Sequence, residues 1–529
     1  MGIFDIDTSN NSKAVEISSV YGKALTTVEN AKADLYFKPH NFNPLDYINT
    51  KGKDFFYGLE HNKNEKIPFF LPPDEVTMQL LVGSTGTGKG VLLGNILAEK
   101  IGRKEGVIII DPKKDAFLGQ IAKELLTKQG RPQDLLVASF PQQMGYMGIN
   151  EDDTYQEVAN KLIDAFSLEE TDNAGVNHYR KNERIMLKRV LKIFFDGELG
   201  IIVKKDLNEI ANAIIQLSED LKRKDIFEKE SAKSKPNINL IQRNSKRYFD
   251  GNKLDLLNFN EEDLKVLKSL SISFDEFITS AKITNEINLD EALYNGKVVY
   301  LNLDMLDIAS LKMAKICITD IIQKARKKLP TTKIWIIADE ISFYATQTLA
   351  GALATTRGFN LNFILALQDL AQMKEEHIKK AIISNCNVKI FYKPSDKETL
   401  NYIQEIGGKE AITKVSKKEN DMTITQDLED TFNVTKIRAL WRSGVAIIIA
   451  EFLPTPAIVQ TNFIAVTQQF DWTPFDKAKE VKEDYSNMEI KFKSKQERED
   501  TLMKYRQSVK GTGSLCEGLE GILFENEIL

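Results

Sequence analysis

Residues 76–101, VTMQLLVGSTGTGKGVLLGNILAEKI, read as a short β-branched strand, a glycine-rich loop and an amphipathic helix. The loop runs Gly83, Ser84, Thr85, Gly86, Thr87, Gly88, Lys89, and each residue type has a task. Glycine lets backbone N–H groups turn toward an anion with no Cβ in the way. Lys89 adds a point charge suited to the β- and γ-phosphates of a nucleoside triphosphate. The helix starting near Gly90 aims its positive dipole end at the same place, so loop and helix form an anion site before any side chain counts. A glycine turn of this kind can be purely structural, but the preceding strand and the lysine in register favour phosphate. Where a Ser or Thr hydroxyl normally follows the lysine and binds Mg²⁺, this chain has Gly90. The metal must then take its ligands from water, from Thr87 or from elsewhere.

Working outward, residues 333–340, KIWIIADE, form an apolar run of the kind found in a central parallel strand, and it ends in two carboxylates. Asp339 falls at the carboxyl end of that strand, where ligands bind in open α/β sheets, and is placed to hold Mg²⁺ through water. Glu340, as the next residue, should point to the other side of the strand end and polarise the attacking water. The competing reading is an ordinary acidic exit from strand to loop. A third apolar strand lies within FNLNFILALQDLAQ, residues 359–372, and is closed by Gln368. An amide there can sense the γ-phosphate by hydrogen bonding to phosphate or water. Arg357, eleven residues earlier, could reach a neighbouring subunit's nucleotide, or be a surface arginine at a helix end.

Five stretches together carry a family resemblance: GSTGTGKGVLL with its glycine after lysine, VIIIDPKKDAF at 107–117, IWIIADEISFYA at 334–345, RGFNLNFILALQDLAQM at 357–373 and ISNCNVKIFYKPSDKETLNYI at 383–403. In order and spacing the chain resembles the coupling-protein ATPases of type IV secretion and conjugation systems, the TraG and TraD group, related to FtsK- and HerA-like pumps. The resemblance covers roughly residues 55–465. It implies a RecA-like P-loop core of the α/β class, with a mostly parallel sheet and an inserted all-α domain. It also implies that Lys89, Asp339, Glu340 and Gln368 carry binding and hydrolysis of ATP with Mg²⁺. Arg357 becomes a candidate arginine finger in a ring of six. The expected cargo is DNA, a relaxase or another secreted protein, delivered to a secretion channel. A nucleotide-gated receptor for protein cargo and a HerA-like DNA pump are the alternatives.

Between Lys89 and Asp339 the pattern changes. After a strand ending at Asp111, residues 116–129 read as a helix and Leu135–Phe140 as a strand. Residues 155–166, 182–195, 207–223 and 261–280 then space their apolar side chains three and four apart, and sheet pattern returns at 297–303. The expected organisation is an extension at 1–54, the first part of the nucleotide domain at 55–151, the helical insert at 152–290, the second part at 291–469 and a tail at 470–529. Arg180, Lys181, Arg184, Lys188, Arg189 and Lys192 lie along one helical stretch, and a second basic cluster runs from Lys222 to Lys235. They read as phosphate contacts or as a solvated helix face. Pro236, Asn237 and Asn239 suggest a loop beside the second cluster. Residues 443–466 read as two sheet-completing strands joined at Pro454-Thr455-Pro456. In the tail a helix is expected between Lys495 and Val509 and flexibility at 510–513. The last sixteen residues, SLCEGLEGILFENEIL, place four glutamates among apolar side chains, suited to docking or to a frayed end.

With 529 residues, 42% hydrophobic and 28% charged, the chain can bury two or more cores and is not disordered overall. A formal charge of −5 argues against the whole surface being a nucleic-acid mould, although a ring can be acidic outside and basic in its pore. Cys317, Cys386 and Cys516 form neither a disulfide framework nor a zinc pattern, and the four histidines show no metal spacing. Residues 1–75 hold no apolar run near the length of a bilayer, and the opening MGIFDIDTSNNSKAVEISS has neither signal-peptide nor myristoylation chemistry. The expected location is cytoplasmic, or peripheral at the inner face of the membrane.

Overall fold

Uninterrupted runs of Val, Ile and Leu set the centre of the molecule, because a strand covered on both faces has no position at which a polar side chain could reach water. The computed structural model describes residues 40–466, except 49–51, 53, 62–64, 114, 141–144, 172–173, 198–201, 246–248, 250–253, 255–256, 280–282, 419–420 and 440–443. The opening segment and the expected tail helix, glycine stretch and acidic end lie outside the described residues.

The chain begins with β1 (Phe55–Glu60), β2 (Pro68–Leu71) and β3 (Met78–Val82). Then come α1 (Lys89–Gly102), β4 (Gly106–Asp111), α2 (Phe117–Lys128) and β5 (Leu135–Ser139). A helical stretch follows: α3 (Tyr155–Ala165), α4 (Ala174–Phe195), α5 (Leu207–Ser231), α6 (Ile238–Asn244), α7 (Glu261–Thr279) and α8 (Asp290–Asn295). The sheet resumes with β6 (Val298–Asn302), α9 (Ile308–Lys327), β7 (Ile334–Ala338), α10 (Gln347–Thr356), β8 (Leu361–Leu367), α11 (Glu376–Asn385), β9 (Val388–Phe391) and α12 (Lys397–Ile406). A ribbon of β10 (Lys409–Lys418) and β11 (Asp421–Asp430), then α13 (Val434–Ala439), β12 (Val445–Ala450) and β13 (Ala457–Gln460) complete the order.

Among the described residues the main sheet runs β2-β1-β13-β12-β9-β3-β8-β7-β4-β6-β5. From β9 to β5 every neighbouring pair is parallel, whereas β12, β13, β1 and β2 form an antiparallel edge. The fold is thus α/β with a mostly parallel sheet. Register sets up everything that follows. Val82 lies opposite Leu367, Ala338 opposite Leu365 and Ile110 opposite Ala338, so the ends of β3, β8, β7 and β4 come out at one edge.

One apolar core runs from β3, β4, β6, β7 and β8 into α3, α4, α5 and α7, so these helices are welded to the sheet rather than tethered to it. A polar pin strengthens the seam. The Lys161 ammonium, wholly buried, bonds Asp153 at 2.5 Å and Asp320 at 2.7 Å. Tyr146 and Asn150 donate to the same Asp320 carboxylate at 2.7 and 2.8 Å. Removing one partner of such a group leaves a buried charge bare, at a cost of about 3–5 kcal/mol. No helix among the described residues is long and apolar enough to cross a membrane.

Several elements differ from the sequence expectation. α4 begins at Ala174 rather than 182, and α5 continues to Ser231 rather than ending at 223. Asn239 lies inside α6, not in a loop; Asn237 caps that helix, its side-chain oxygen accepting from Leu240 N at 3.2 Å. Asparagine marks turns and helix starts by the same local hydrogen bond, which is why the two were confused. The β10–β11 ribbon was not foreseen. Its register runs from Lys409 opposite Asp430 to Lys418 opposite Asp421, and in the sequence its apolar residues are diluted by lysines and threonines.

Candidate active site

The glycine loop is held from behind by the antiparallel edge of the sheet. Ser84 donates from its N–H and its hydroxyl to Lys393 O, at 3.3 and 3.2 Å. The Thr87 hydroxyl donates to Ser84 O at 2.7 Å, and Gly444 N donates to Thr87 O at 2.8 Å. Two positions require glycine. A Cβ on Gly83 would stand 2.5 Å from the Tyr392 Cβ. Gly88, at φ +119°, has the backbone of Gly444 and the Tyr392 ring 3.0 Å from where its Cβ would be. Gly88 at the N-cap of α1 offers no side-chain cap, which leaves the first turn's N–H groups suited to an anion in the loop.

Both carboxylates reach the Lys113 ammonium, and strand alternation, which the sequence suggested, does not place Glu340. β7 ends at Ala338, and Glu340 lies beyond it in the left-handed region at φ +51°. Non-glycine residues hold that conformation at a cost of about 1–3 kcal/mol, so it persists here only because buried partners fix it. Glu340 Oε1 accepts from Lys89 Nζ at 3.2 Å and from Gln368 Nε2 at 3.3 Å. Glu340 Oε2 is buried and has no hydrogen-bond partner among the described residues. Asp339 is ion-paired with Lys113, whose ammonium also lies 3.8 Å from Glu340 Oε1. Tyr344 donates to Asp339 O at 2.5 Å from a wholly buried phenol.

Burial drives the Lys89 pKa down, and the charges of Asp339 and Glu340 only partly restore it. For Lys113 burial works the same way, but Asp339, Glu340 and Asp111 outweigh it and raise the pKa. Asp111, buried and facing the Asp339 charge, is pushed up to about 7 even though Lys113 N and the Tyr300 hydroxyl donate to it. Lys113, Asp111, Tyr300 and Tyr392 were not singled out from the sequence as site residues. The available signal was Asp111-Pro112-Lys113 directly after a buried strand, where a proline turn brings the next side chain back over the strand end.

The arrangement fits a nucleoside triphosphate: glycine backbone, an uncapped helix start and two ammoniums converge on one edge of the sheet. Among the described residues no three His, Cys, Asp or Glu side chains form a protein-only metal cage, so Asp339 suits a hard cation that keeps waters and phosphate oxygens as its other ligands. The Thr87 hydroxyl commits its proton to the loop and retains its lone pairs.

Arg357 is not brought into this site. It follows α10 and enters β8 from the opposite edge of the sheet, about 23 Å along a seven-residue strand from Gln368. Its side chain lies outside the described residues. Three of the six basic residues on α4 are engaged within the fold: Arg180 donates to Glu169 O, Arg184 to Leu168 O and Glu170, and Arg189 to Leu257 O. Lys181, Lys188 and Lys192 are exposed. In the second cluster Arg223, Lys224, Lys229 and Lys233 are each paired with a nearby carboxylate.

Residues 64–451 match the family described as the type IV secretion-system coupling protein DNA-binding domain. The type 4 coupling protein DotL of Legionella pneumophila subsp. pneumophila is 22% identical over 435 residues, 71% of this chain and 55% of that protein. The chain therefore spans about half the length of the curated relative it matches. The bacterial conjugative coupling protein TrwBdeltaN70, in its unbound monoclinic form, superposes with a TM-score of 0.56 at 14% identity, covering 80% of this chain and 92% of that one. The plasmid coupling protein TrwB in complex with ADP and Mg²⁺ gives a TM-score of 0.54 at 15% identity, covering 81% and 93%. At these identities the likeness to the solved structures is one of fold.

Proposed function

The chain belongs to the type IV secretion-system coupling protein family, and on that premise we propose that it is an ATPase that recruits DNA or a nucleoprotein substrate and moves it toward a secretion channel. The observation that carries this reading is the convergence of Lys89 and Gln368 on one oxygen of Glu340, with the other oxygen buried and unpartnered. Lys89 and the loop Gly83–Gly90 bind the phosphates. Glu340 Oε2 orients the attacking water and takes its proton, while Gln368 holds Glu340 and reads the γ-phosphate. Asp339, with Thr87 as second candidate ligand, would hold Mg²⁺, which would supply charge neutralisation at the phosphates. That TrwB has been solved with ADP and Mg²⁺ supports this choice of ligands.

We further assign Arg357 as an arginine finger acting on a neighbouring subunit of a homo-hexamer, since it lies at the sheet edge remote from its own site. The domain limits 1–54, 55–151, 152–290, 291–469 and 470–529, and a place at the cytoplasmic face of the inner membrane, belong to the same proposal.

ATP hydrolysis by the purified chain, with single-stranded DNA, double-stranded DNA or neither, tests it beside Glu340→Gln. DNA stimulation that vanishes in the variant supports a DNA-coupled motor. Glu340-dependent hydrolysis indifferent to DNA instead supports a receptor for protein cargo. Thr87→Ala is expected to lower Mg²⁺-dependent hydrolysis strongly; near-normal rates would put the metal's protein ligand elsewhere.

A further inference from the structure

Lys113 has no part in the roles above, yet it is among the best-fixed side chains near the loop. Its N–H donates to Asp111 Oδ1 at 3.0 Å, and its carbonyl accepts from Asn302 Nδ2 at 2.8 Å, so the ends of β4 and β6 clamp its backbone on both sides. Its ammonium reaches Asp339 and approaches the same Glu340 oxygen that Lys89 bonds. Two lysines thus reach one carboxylate oxygen from different elements, Lys89 from the first position of α1 and Lys113 from just beyond the end of β4. Gly90 leaves the position after Lys89 without the hydroxyl that ordinarily meets the metal at the triphosphate. An added Cβ at Gly90 would meet nothing within 4 Å, so packing does not forbid a serine or threonine there.

We propose that Lys113 is a second triphosphate-binding lysine, which contacts the terminal phosphate from the β4 side and lets the site hold a triphosphate with reduced dependence on the metal. The proposal rests on the nucleotide-site reading above and deepens it. The plain alternative is a counter-ion that only neutralises Asp111, Asp339 and Glu340. The two differ in what they distinguish. A counter-ion treats diphosphate and triphosphate alike, whereas a terminal-phosphate ligand contributes to the triphosphate alone. A guanidinium of similar reach should substitute for the ammonium at a phosphate.

The test is equilibrium binding of fluorescently labelled ATP and ADP to the full chain, in EDTA and in Mg²⁺, for the native protein, Lys113→Ala, Lys113→Gln and Lys113→Arg. In EDTA, Lys113→Ala should lose about tenfold to a hundredfold in ATP affinity, the range of one charge-assisted hydrogen bond, with little change for ADP. Mg²⁺ should narrow that gap, and Lys113→Arg should recover most of the loss. Equal losses for ATP and ADP, or no loss for either, would overturn the proposal. If Lys113→Ala does not fold, Lys113→Gln decides, because it retains the backbone bonds and can still hydrogen-bond Asp339 without charge. An ATP-to-ADP affinity ratio in Lys113→Gln equal to that of the native protein would also overturn it. Failure of the native protein to bind either nucleotide would sink the nucleotide-site reading instead, a separate outcome.

Discussion

Helix α1 buries a lysine at each end, Lys89 with 4% of its surface exposed and Lys100 with 1%, and the two sit at opposite edges of the same sheet in opposite chemistry. Lys89, at an uncapped helix start, meets a carboxylate on a strained turn that the Gln368 amide also bonds. Lys100 meets aromatic faces, 2.9 Å from the centroid of Phe55 and 4.0 Å from that of Trp335, and its ammonium has no hydrogen bond among the described residues. Around it the polar groups are already matched, with Trp335 Nε1 on Glu105 and Arg103 on Glu99. Burial pushes the Lys100 pKa down to about 7, opposed by the charges of Glu105 and Glu99. A buried lysine is therefore no sign of function by itself. What separates the two ends is an unsatisfied acceptor and open backbone donors on one side, and a closed apolar box on the other.

The largest effect expected is at the phosphate end. Glu340→Gln should lower ATP hydrolysis by about 10²–10⁴-fold while leaving ATP binding intact, as steady-state rates beside a binding titration will show. A small loss would make Glu340 a mere partner for Lys89 and erase the contrast between the ends.

Next come the two lysines as a pair. Lys89→Met should cost about tenfold to a hundredfold in ATP affinity. Lys100→Met should leave hydrolysis near the native rate and raise stability by about 1–4 kcal/mol in denaturant titrations, since a buried charge without a hydrogen bond gives way to a side chain of similar volume. Loss of hydrolysis in a folded Lys100→Met would show that the aromatic end communicates with the site.

The pH response sharpens the same contrast. With its folded pKa near 7 and its unfolded value about 10.4, Lys100 binds fewer protons in the native state between those limits. The native protein should therefore gain stability as pH rises from about 7 toward 10, and the gain should be largely absent in Lys100→Met. Identical slopes in the two proteins would mean that Lys100 stays charged in its box.

The smallest effect concerns the helical stretch. Replacing exposed Lys181 and Lys188 with alanine should weaken DNA binding a few-fold and lower the salt slope by about 2, without altering stability. Arg184→Ala should instead destabilise α4, because its guanidinium holds the Leu168 carbonyl. Unchanged DNA affinity in the lysine double variant would remove this face from the cargo path.

Much of the fold could be read from the chain. The glycine loop, the buried strands ending at Asp111 and Ala338, the strand before Gln368 and the helices after residue 155 all announce themselves by composition and period, which act over a few residues. The antiparallel edge was only half legible: two strands were read in 443–466, but not that Gly444 would brace the loop through Thr87 O. Arg180, Arg184 and Arg189 read as a basic stripe because charge is visible in a sequence and the carbonyls that engage it are not. Lys113 went unmarked as a site residue because a lysine after a proline turn has no local signature.

By itself the sequence determined the central strands, the main helices after residue 155, the phosphate loop and the kinds of residue at the central strand ends, since propensity, periodicity and glycine geometry are local properties. Only the tertiary structure decided which charge answers which. Lys89 and Glu340 stand 251 residues apart in the chain, Lys113 and Asp339 226 apart, and they meet because parallel register brings β3, β8, β7 and β4 out at one edge. A buried charge takes whatever partner that register delivers, and register is set by the packing of the whole sheet rather than by any segment of it.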